Sequence, residues 1–389
     1  MKNRIWRYYA FTFFINLHFF GAVLMPFFTE WGKISIAQAQ LLQSWFMLWI
    51  FLLEIPTGVV ADYFGRKYSL ALGALVVTFA ALVYGSMPNL YIFMLGEFLF
   101  AMGASFTSGA DDALLYDSLK EEGQEHEIKK AMGIAHSIQL VSMFVAAPIG
   151  GLIAAKFGLN APIMFCAIPF LIAAFIAFSI KEPKIFDKTK ETTRYLEIAK
   201  KGISYFYHHK TLRLIVLDAV VVSTAAYFVI WLYQPLLMSL KFPIKYFGWI
   251  SSLMVLSEVI IATNFVRLEK ILGSAKSYMR FSAIIVATFF ILVAFIPKVP
   301  MVILFVVFAG GFGLTRLELM TSYMNRLIPS SQRATILSTI SMFRRLSLVI
   351  FNPFVGMLAD HSLPITLFVI GLLPLLIFFF SPVEKEMFE

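Results

Sequence analysis

Runs of about 20 apolar residues, enough to cross the ~30 Å hydrocarbon core of a bilayer as a helix, recur along the whole chain of 389 residues. In lipid every backbone amide must find its hydrogen-bond partner within the protein, so such runs fold as helices. Hydrophobic residues make up 60% of the chain and charged residues 14%, whereas soluble domains carry ~25% charged residues. The sequence therefore predicts an all-α membrane protein.

Twelve of these runs are predicted to span the membrane, with boundaries accurate to a few residues. They are residues 5–28, 36–61, 68–86, 90–117, 131–156, 160–181, 212–240, 245–266, 277–297, 301–327, 334–358 and 363–381. The long polar stretch between the sixth and seventh spans predicts three regions. These are an N-terminal six-helix bundle (1–181), a cytoplasmic linker (182–210) and a C-terminal six-helix bundle (211–389).

The net charge of +9 reflects membrane topology rather than a nucleic-acid partner. Lys and Arg collect in alternate loops, as the positive-inside rule requires, and this bias predicts that both termini are cytoplasmic. We expect a monomeric, multi-pass protein of the bacterial cytoplasmic (inner) membrane, in contact with lipids. The first apolar run is too long for a signal-peptide core, so we interpret it as the first span.

The sequence lacks the patterns typical of catalysis or of bound groups. Its single cysteine, Cys166, lies in an apolar run and allows neither a disulfide framework nor a thiolate metal site within one chain. Neither a nucleotide-binding Gly-x-x-x-x-Gly-Lys-Ser/Thr loop nor a His-Glu-x-x-His metal motif occurs. We therefore expect no cofactor, no metal and no enzymatic activity.

The turn between the second and third spans is the most distinctive motif. It reads Gly58-Val-Val-Ala-Asp62-Tyr-Phe-Gly65-Arg66-Lys67, and we call it the latch loop. A tight, charged turn between two spans cannot move far, so it is suited to hold helices in one arrangement. The alternative is a solvated turn whose positive charges only follow the positive-inside rule.

The pattern Gly-x-x-Ala-Asp-x-x-Gly-Arg-Lys-x-x-Leu, from Gly58 to Leu70, resembles the signature loop between helices 2 and 3 of the major facilitator superfamily. The resemblance implies two pseudo-symmetric six-helix bundles with a substrate site near the midplane between them. It also implies that Arg66 pairs with Asp117 at the end of the fourth span. The motif Pro148-x-x-Gly151 recurs as Pro353-x-x-Gly356 in the second half, consistent with a duplication.

Charged and imidazole side chains inside the predicted spans are the candidate functional residues. A charge within the bilayer costs at least a few kcal/mol, so such residues mark functional sites by default. The candidates for substrate binding or proton coupling are His18, Glu54, Glu97, Asp111, Asp112, Asp218, Glu258, Arg316, Glu318 and Arg344.

Several of these residues have two possible roles. Arg316 and Arg344 lie too deep to reach the surface, so each binds an anionic group of the substrate or an internal carboxylate of Asp218, Glu258 or Glu318. The acids are proton carriers or structural partners; Glu54, just before Ile55-Pro56, is expected at a break or bend. His18 lines a cavity or hydrogen-bonds a neighbouring helix.

The fourth span carries polar and small residues on one helical face. They are Glu97, Ala101, Ser105, Ser108 and Asp112, spaced three or four apart. Superfamily members often have an arginine near the start of this span, and Glu97 stands there instead. A face of this kind is expected to contact water or another helix rather than lipid.

The most consistent interpretation is a secondary transporter that moves a small organic solute by alternating access, coupled to protons. The mixed charges favour an anion or a zwitterion as the solute. One alternative is a proton-driven exporter of lipophilic compounds, with Tyr227, Trp231 and Tyr233 lining its cavity. A second alternative, of another class, is a non-transporting receptor or scaffold, which would not need a line of buried charges.

Overall fold

The computed structural model describes residues 2–108, 110–183, 204–329, 333–381 and residue 383. All regular secondary structure in those ranges is helical, which confirms the all-α prediction. Most of the predicted linker, residues 184–203, lies outside the described residues. The chain divides into two compact units. The N-terminal unit comprises Met1–Thr192 with Ile244–Trp249, and the C-terminal unit comprises Thr193–Pro243 with Ile250–Glu389.

Among the described residues, the N-terminal unit contains eight α-helices of at least five residues and a π-helical turn. The helices are α1 (Lys2–Ile15), α2 (Ile36–Phe64), α3 (Arg66–Tyr84), α4 (Leu90–Ser108), α5 (Asp111–Glu121), α6 (Ile128–Phe157), α7 (Ala161–Phe165) and α8 (Ala167–Ser179). A short turn at Leu24–Pro26 leads into the π-helical turn Phe27–Trp31. The exposed outer faces carry Phe, Leu and Ile side chains, as expected where helices face lipid.

The C-terminal half contains a second set of helices among the described residues. They are α9 (Lys210–Ser239), α10 (Phe247–Thr263), α11 (Phe265–Leu272), α12 (Ala275–Phe295), α13 (Val299–Phe305), α14 (Gly311–Leu314), α15 (Arg316–Leu327), α16 (Arg333–His361) and α17 (Leu363–Phe380). A π-helical turn at Val306–Gly310 joins α13 to α14. Helix α9 forms the centre of the C-terminal unit, because most of its residues are buried.

Eleven stretches of the described chain are long and apolar enough to cross a membrane, one fewer than predicted. The missing one is the first span, predicted as 5–28. Helix α1 ends at Ile15, and the chain is not helical again until Leu24. The first span is therefore discontinuous, a break that hydropathy does not reveal because the residues on both sides are apolar.

Other predicted spans are also divided. The fourth span ends as α4 at Ser108 and resumes as α5 at Asp111, which interrupts the predicted polar face. Ser105 is buried, whereas Ser108 and Asp112 are exposed. The second span, in contrast, continues through Pro56 to Phe64 as one helix. Of the break or bend expected at Glu54, the break is therefore absent.

One glycine in each half forms the turn between consecutive helices. Gly65 has φ 106° and joins α2 to α3; Gly273 has φ 87° and precedes α12. Positive φ suits glycine and strains other residues. The matching positions are consistent with a duplication, but the C-terminal turn has Ser274 where the N-terminal turn has Arg66.

Small residues allow α3 and α4 to approach closely. A Cβ atom added to Gly73 would lie 2.8 Å from the carbonyl oxygen of Gly103, and one added to Gly103 would lie 2.8 Å from that of Gly73. Close backbone contact of this kind is the usual basis of helix association in membranes. This contact holds α4 against α3, whose first residues, Arg66 and Lys67, belong to the latch loop.

Candidate functional site

The latch loop contains an ion pair at its Arg66 end. Arg66 is the first residue of α3, and its Nη1 donates to the carboxylate of Asp117 on α5 and to the carbonyl of Ala113 at 2.5 Å. The side chains of Arg66 and Asp117 are only 21% and 14% exposed. Solvent therefore screens this pair less than it screens a surface salt bridge.

Glu182 provides a second attachment of the same loop, which sequence reasoning missed. Its carboxylate accepts the backbone N–H groups of Arg66 at 2.7 Å and Lys67 at 2.9 Å. A carboxylate is favourable there because the first turn of a helix has unpaired N–H groups and a partial positive charge. The only signal in the sequence is an acid between Lys181 and Pro183 at the end of the sixth span.

The remaining latch-loop residues are more open. A Cβ atom added to Gly58 would meet nothing within 4 Å, and the side chain of Asp62 is exposed. Gly65 is buried, and an added Cβ atom would approach the Glu182 carboxyl carbon to 3.1 Å. Glycine is therefore suited to position 65, because it adopts a positive φ without strain and leaves room for the Glu182 carboxylate.

Glu97 lies inside the N-terminal unit, 6% exposed. Gln43 Nε2 on α2 donates to Glu97 Oε1 at 2.7 Å, and the Tyr84 hydroxyl on α3 donates to the same oxygen at 2.8 Å. The Tyr84 ring packs on Gly96, where an added Cβ atom would lie 1.9 Å from the ring. The carboxyl group therefore connects α4 to both helices of the latch-loop hairpin.

His18 lies in the non-helical part of the first span. Its Nε2 is 3.0 Å from the carbonyl of Ile15. Its ring stacks on Phe20 at 5.3 Å between centroids and meets Phe170 edge-on at 5.6 Å. The ring therefore packs among aromatic side chains and hydrogen-bonds its own segment, rather than a neighbouring helix.

The other predicted acids of the N-terminal half are more accessible than Glu97. Glu54 is half-buried on α2. Asp111 and Asp112 begin α5, where the Asp111 carboxylate accepts the N–H of Asp112 at 2.8 Å. The structure does not bring these three acids together with Glu97.

Arg316 is enclosed in the C-terminal unit by an ion pair with Asp218. The two side chains are 0% and 3% exposed. Arg316 also donates to the Ser282 hydroxyl and to the Met279 carbonyl, the latter at 2.5 Å. The Ser381 hydroxyl donates to the second carboxylate oxygen of Asp218 at 2.5 Å. This arrangement matches the internal pairing that the sequence left open as an alternative for Arg316.

A second charged cluster in the C-terminal unit combines three of the predicted residues. Glu318 on α15 interacts electrostatically with Glu258 on α10 and with Arg344 on α16. Glu318 is exposed, whereas Glu258 and Arg344 are partly buried. We call Glu258, Glu318 and Arg344 the charged cluster. Its three side chains are more accessible than those of the enclosed Arg316–Asp218 pair.

One face of α9 adjoins this cluster, and two of its residues, Thr224 and Trp231, carry polar atoms without hydrogen-bond partners among the described residues. Thr224, Tyr227 and Trp231 lie three and four residues apart and so share one face. Tyr227 lies near Arg344, and its ring centroid is 6.2 Å from that of Trp231. The buried Thr224 Oγ1 and Trp231 Nε1 have no partner in the described structure.

Comparisons with known proteins agree with this architecture. The sequence profile of the Major Facilitator Superfamily matches residues 9–242. An uncharacterised MFS-type transporter of Methanocaldococcus jannaschii is 21% identical over 182 residues, which cover 47% of this chain and 46% of that relative. The alignment thus spans less than half of that relative's length. The uncharacterised MFS-type transporter YxaM of Bacillus subtilis is 24% identical over 353 residues, 86% of this chain and 84% of YxaM.

One solved structure resembles this chain over its whole length. A crystal structure of a variant of the nucleoside transporter NupG superposes with a TM-score of 0.84 at 13% sequence identity, covering 100% of both chains. At this identity the comparison establishes the fold alone. Solved neighbours of this fold are transporters rather than enzymes.

Proposed function

Since this chain belongs to the Major Facilitator Superfamily, and is therefore a multi-pass membrane transporter, we propose that it moves a small organic solute by alternating access coupled to protons. The solute is an anion or a zwitterion. We further propose that both termini are cytoplasmic, that the protein acts as a monomer in a bacterial inner membrane, and that residues 1–181 and 211–389 form its two bundles.

The observation that carries the proposal is the charged cluster. Glu318 lies about nine residues before the end of α15, roughly 14 Å along the helix, yet its side chain is exposed. A carboxylate at that depth faces water or another polar group, because facing lipid would cost several kcal/mol. The cluster is therefore best explained as part of a water-filled cavity.

The composition of the cluster favours a solute that carries charge. Arg344 can hold a carboxylate or phosphate through its planar guanidinium group. Glu258 and Glu318 repel each other and are available to an ammonium group or to protons. Arg316 is engaged by Asp218, so we assign the anion-binding role to Arg344 alone.

The aromatic face of α9 supports the alternative of a lipophilic-compound exporter. The buried rings of Tyr227 and Trp231 pack near each other beside Arg344. The unpartnered Trp231 Nε1 and Thr224 Oγ1 favour a polar ligand, because an apolar compound would leave both atoms without a hydrogen bond. A scaffold without transport would need neither these atoms nor the charged cluster.

The first prediction tests Arg344. Proteoliposomes with a pH gradient would be offered labelled amino acids, dipeptides and nucleosides, and uptake would be measured for the parent and for Arg344→Lys. Lysine keeps the charge but loses the planar fork, so a bidentate contact should weaken by about tenfold or more in half-saturating concentration.

Arg345→Lys is the matched control, because Arg345 lies ~100° around the same helix and is not part of the charged cluster. We expect uptake by this variant to match the parent. If Arg344→Lys and Arg344→Ala both transport like the parent, Arg344 does not bind the solute and the lipophilic exporter becomes the better explanation.

A further inference from the structure

The fourth span holds the α2–α3 hairpin at both of its ends. At the closed end, beside Gly65, Arg66 on α3 pairs with Asp117 on α5. At the open end, Gln43 near the start of α2 and Tyr84 at the end of α3 both bind Glu97 on α4. One attachment is an ion pair, and the other depends on a single carboxyl group.

The hydrogen bonds of Glu97 are compatible with a neutral carboxylic acid. Both donors converge on Oε1, at 2.7 and 2.8 Å. A protonated carboxyl group has a carbonyl oxygen that can accept two hydrogen bonds and a hydroxyl oxygen that holds the proton. Oε1 occupies the first role, which leaves Oε2 for the proton.

The surroundings of Glu97 provide no positive charge to stabilise a carboxylate. Gln43 from α2 does not titrate, and Tyr84 from α3 is neutral when it donates. The π-helical turn contributes the Phe27 and Phe28 rings, which pack on Tyr84. Among the described residues no Lys, Arg or His forms an ion pair with Glu97.

His18, another ionisable group of the unit, is separated from this site by aromatic rings. His18 stacks on Phe20, Phe20 contacts Phe100 at 5.7 Å, and Phe100 contacts Tyr84 at 5.9 Å. An ionised Glu97 in this arrangement would be a buried, unpaired charge, which costs several kcal/mol.

We propose that the Glu97 carboxyl group, held by Gln43 and Tyr84, is the proton-binding site of this transporter and that its occupancy controls the α2–α3 hairpin. The proposal rests on the proposed proton-coupled function. A proton from one aqueous phase forms the O–H bond on Oε2. It is released to the other phase when the helices separate and water reaches the carboxylate.

The two attachments explain how proton binding is linked to conformation. Gln43 and Tyr84 can donate to either form of Glu97, but burial without a counter-charge favours the neutral form in this arrangement. Loss of the proton leaves a charge that requires water, so the open end of the hairpin must part from α4. The Arg66–Asp117 pair at the other end is then the pivot or is itself released, because it holds the same hairpin beside Gly65.

The proton site can be tested without knowing the solute. Infrared spectra of the purified, folded protein would be recorded across a pH series. A protonated carboxylic acid has a carbonyl band that disappears on ionisation. We expect the parent to show a titrating band that Glu97→Gln lacks, while bands from other carboxyl groups such as Glu258 remain in both proteins. The exposed Glu30 provides the control, since Glu30→Gln should retain the band.

Tyr84→Phe is the second variant, in case Glu97→Gln does not fold. It removes one hydrogen bond to Oε1, so the band should titrate at a different pH from the parent. Identical titrating bands in the parent and in Glu97→Gln, or an unchanged midpoint in Tyr84→Phe, would overturn the proposal. A band that responds to sodium at constant pH would also overturn it, in favour of a cation site. None of these outcomes depends on whether a solute is transported.

Discussion

Arg316 and Asp218 show at the scale of single residues why depth in the membrane does not by itself identify a substrate contact. Both are buried and are linked to three other residues of the C-terminal unit: Met279, Ser282 and Ser381. Removing one partner of a buried ion pair leaves an uncompensated charge, whereas replacing both by apolar residues is often neutral. This pair is expected to maintain structure rather than to bind solute.

We predict that Arg316→Met or Asp218→Leu alone destabilises the protein by about 3–5 kcal/mol, and that the double variant recovers most of the loss. Thermal unfolding in detergent would measure this effect. Arg344→Met is the control and should change stability far less, because Arg344 is only partly buried. Equal stability of the parent and Arg316→Met would show that the pair is not structural.

The sequence was sufficient to predict some of these contacts and not others. The partners Arg66 and Asp117 could be predicted because a sequence pattern connects them. Asp218 could not be distinguished from Glu258 or Glu318 as the partner of Arg316, because all three are acids at similar depth on different spans. Gln43 and Tyr84 escaped notice because neutral polar residues are common in apolar helices.

The discontinuous first span is the main finding at the scale of secondary-structure elements. Its non-helical residues 16–23 lie against α6, where an added Cβ atom on Gly150 would be 1.7 Å from the Phe19 carbonyl oxygen. Irregular backbone at membrane depth is tolerated where it is covered by protein or lines a cavity. Gly150 provides that cover, so the Pro148-Ile149-Gly150-Gly151 motif serves close packing.

We predict that Gly150→Ala disturbs this contact and lowers the free energy of unfolding by about 1–3 kcal/mol or more, because the methyl group would overlap backbone atoms. Gly133→Ala on the same helix is a matched control, since an added Cβ atom there meets nothing within 4 Å. The control should be neutral or slightly stabilising. Equal melting temperatures of the two variants would contradict the proposed contact.

Hydropathy predicted the number of apolar segments well and their continuity poorly. The runs are apolar on both sides of the break after Ile15, and the backbone change there leaves no trace in composition. The π-helical turn at Val306–Gly310 is equally invisible in the sequence. Both irregular segments depend on tertiary contacts, which only the folded units provide.

At the scale of the whole molecule, the two halves divide the proposed work. The N-terminal unit contains the latch loop and Glu97, and the C-terminal unit contains the charged cluster and the aromatic face of α9. A duplication would give both halves the same fold. The latch ion pair belongs to one half, because the matching positions of the second half are Ser274 and Asn325 rather than an arginine and an acid. We infer that proton binding and solute binding are similarly distributed.

The most direct test of this account is the movement of protons driven by solute. Proteoliposomes containing a pH-sensitive dye would receive the amino acids, dipeptides and nucleosides of the uptake panel, and the internal pH would be recorded. Counterflow, the exchange of labelled for unlabelled solute across the membrane, would be measured separately for the same solute. We predict that a transported solute changes the internal pH through the parent, and that Glu97→Gln loses the pH change but retains counterflow. Proton movement through Glu97→Gln equal to that of the parent would contradict the account.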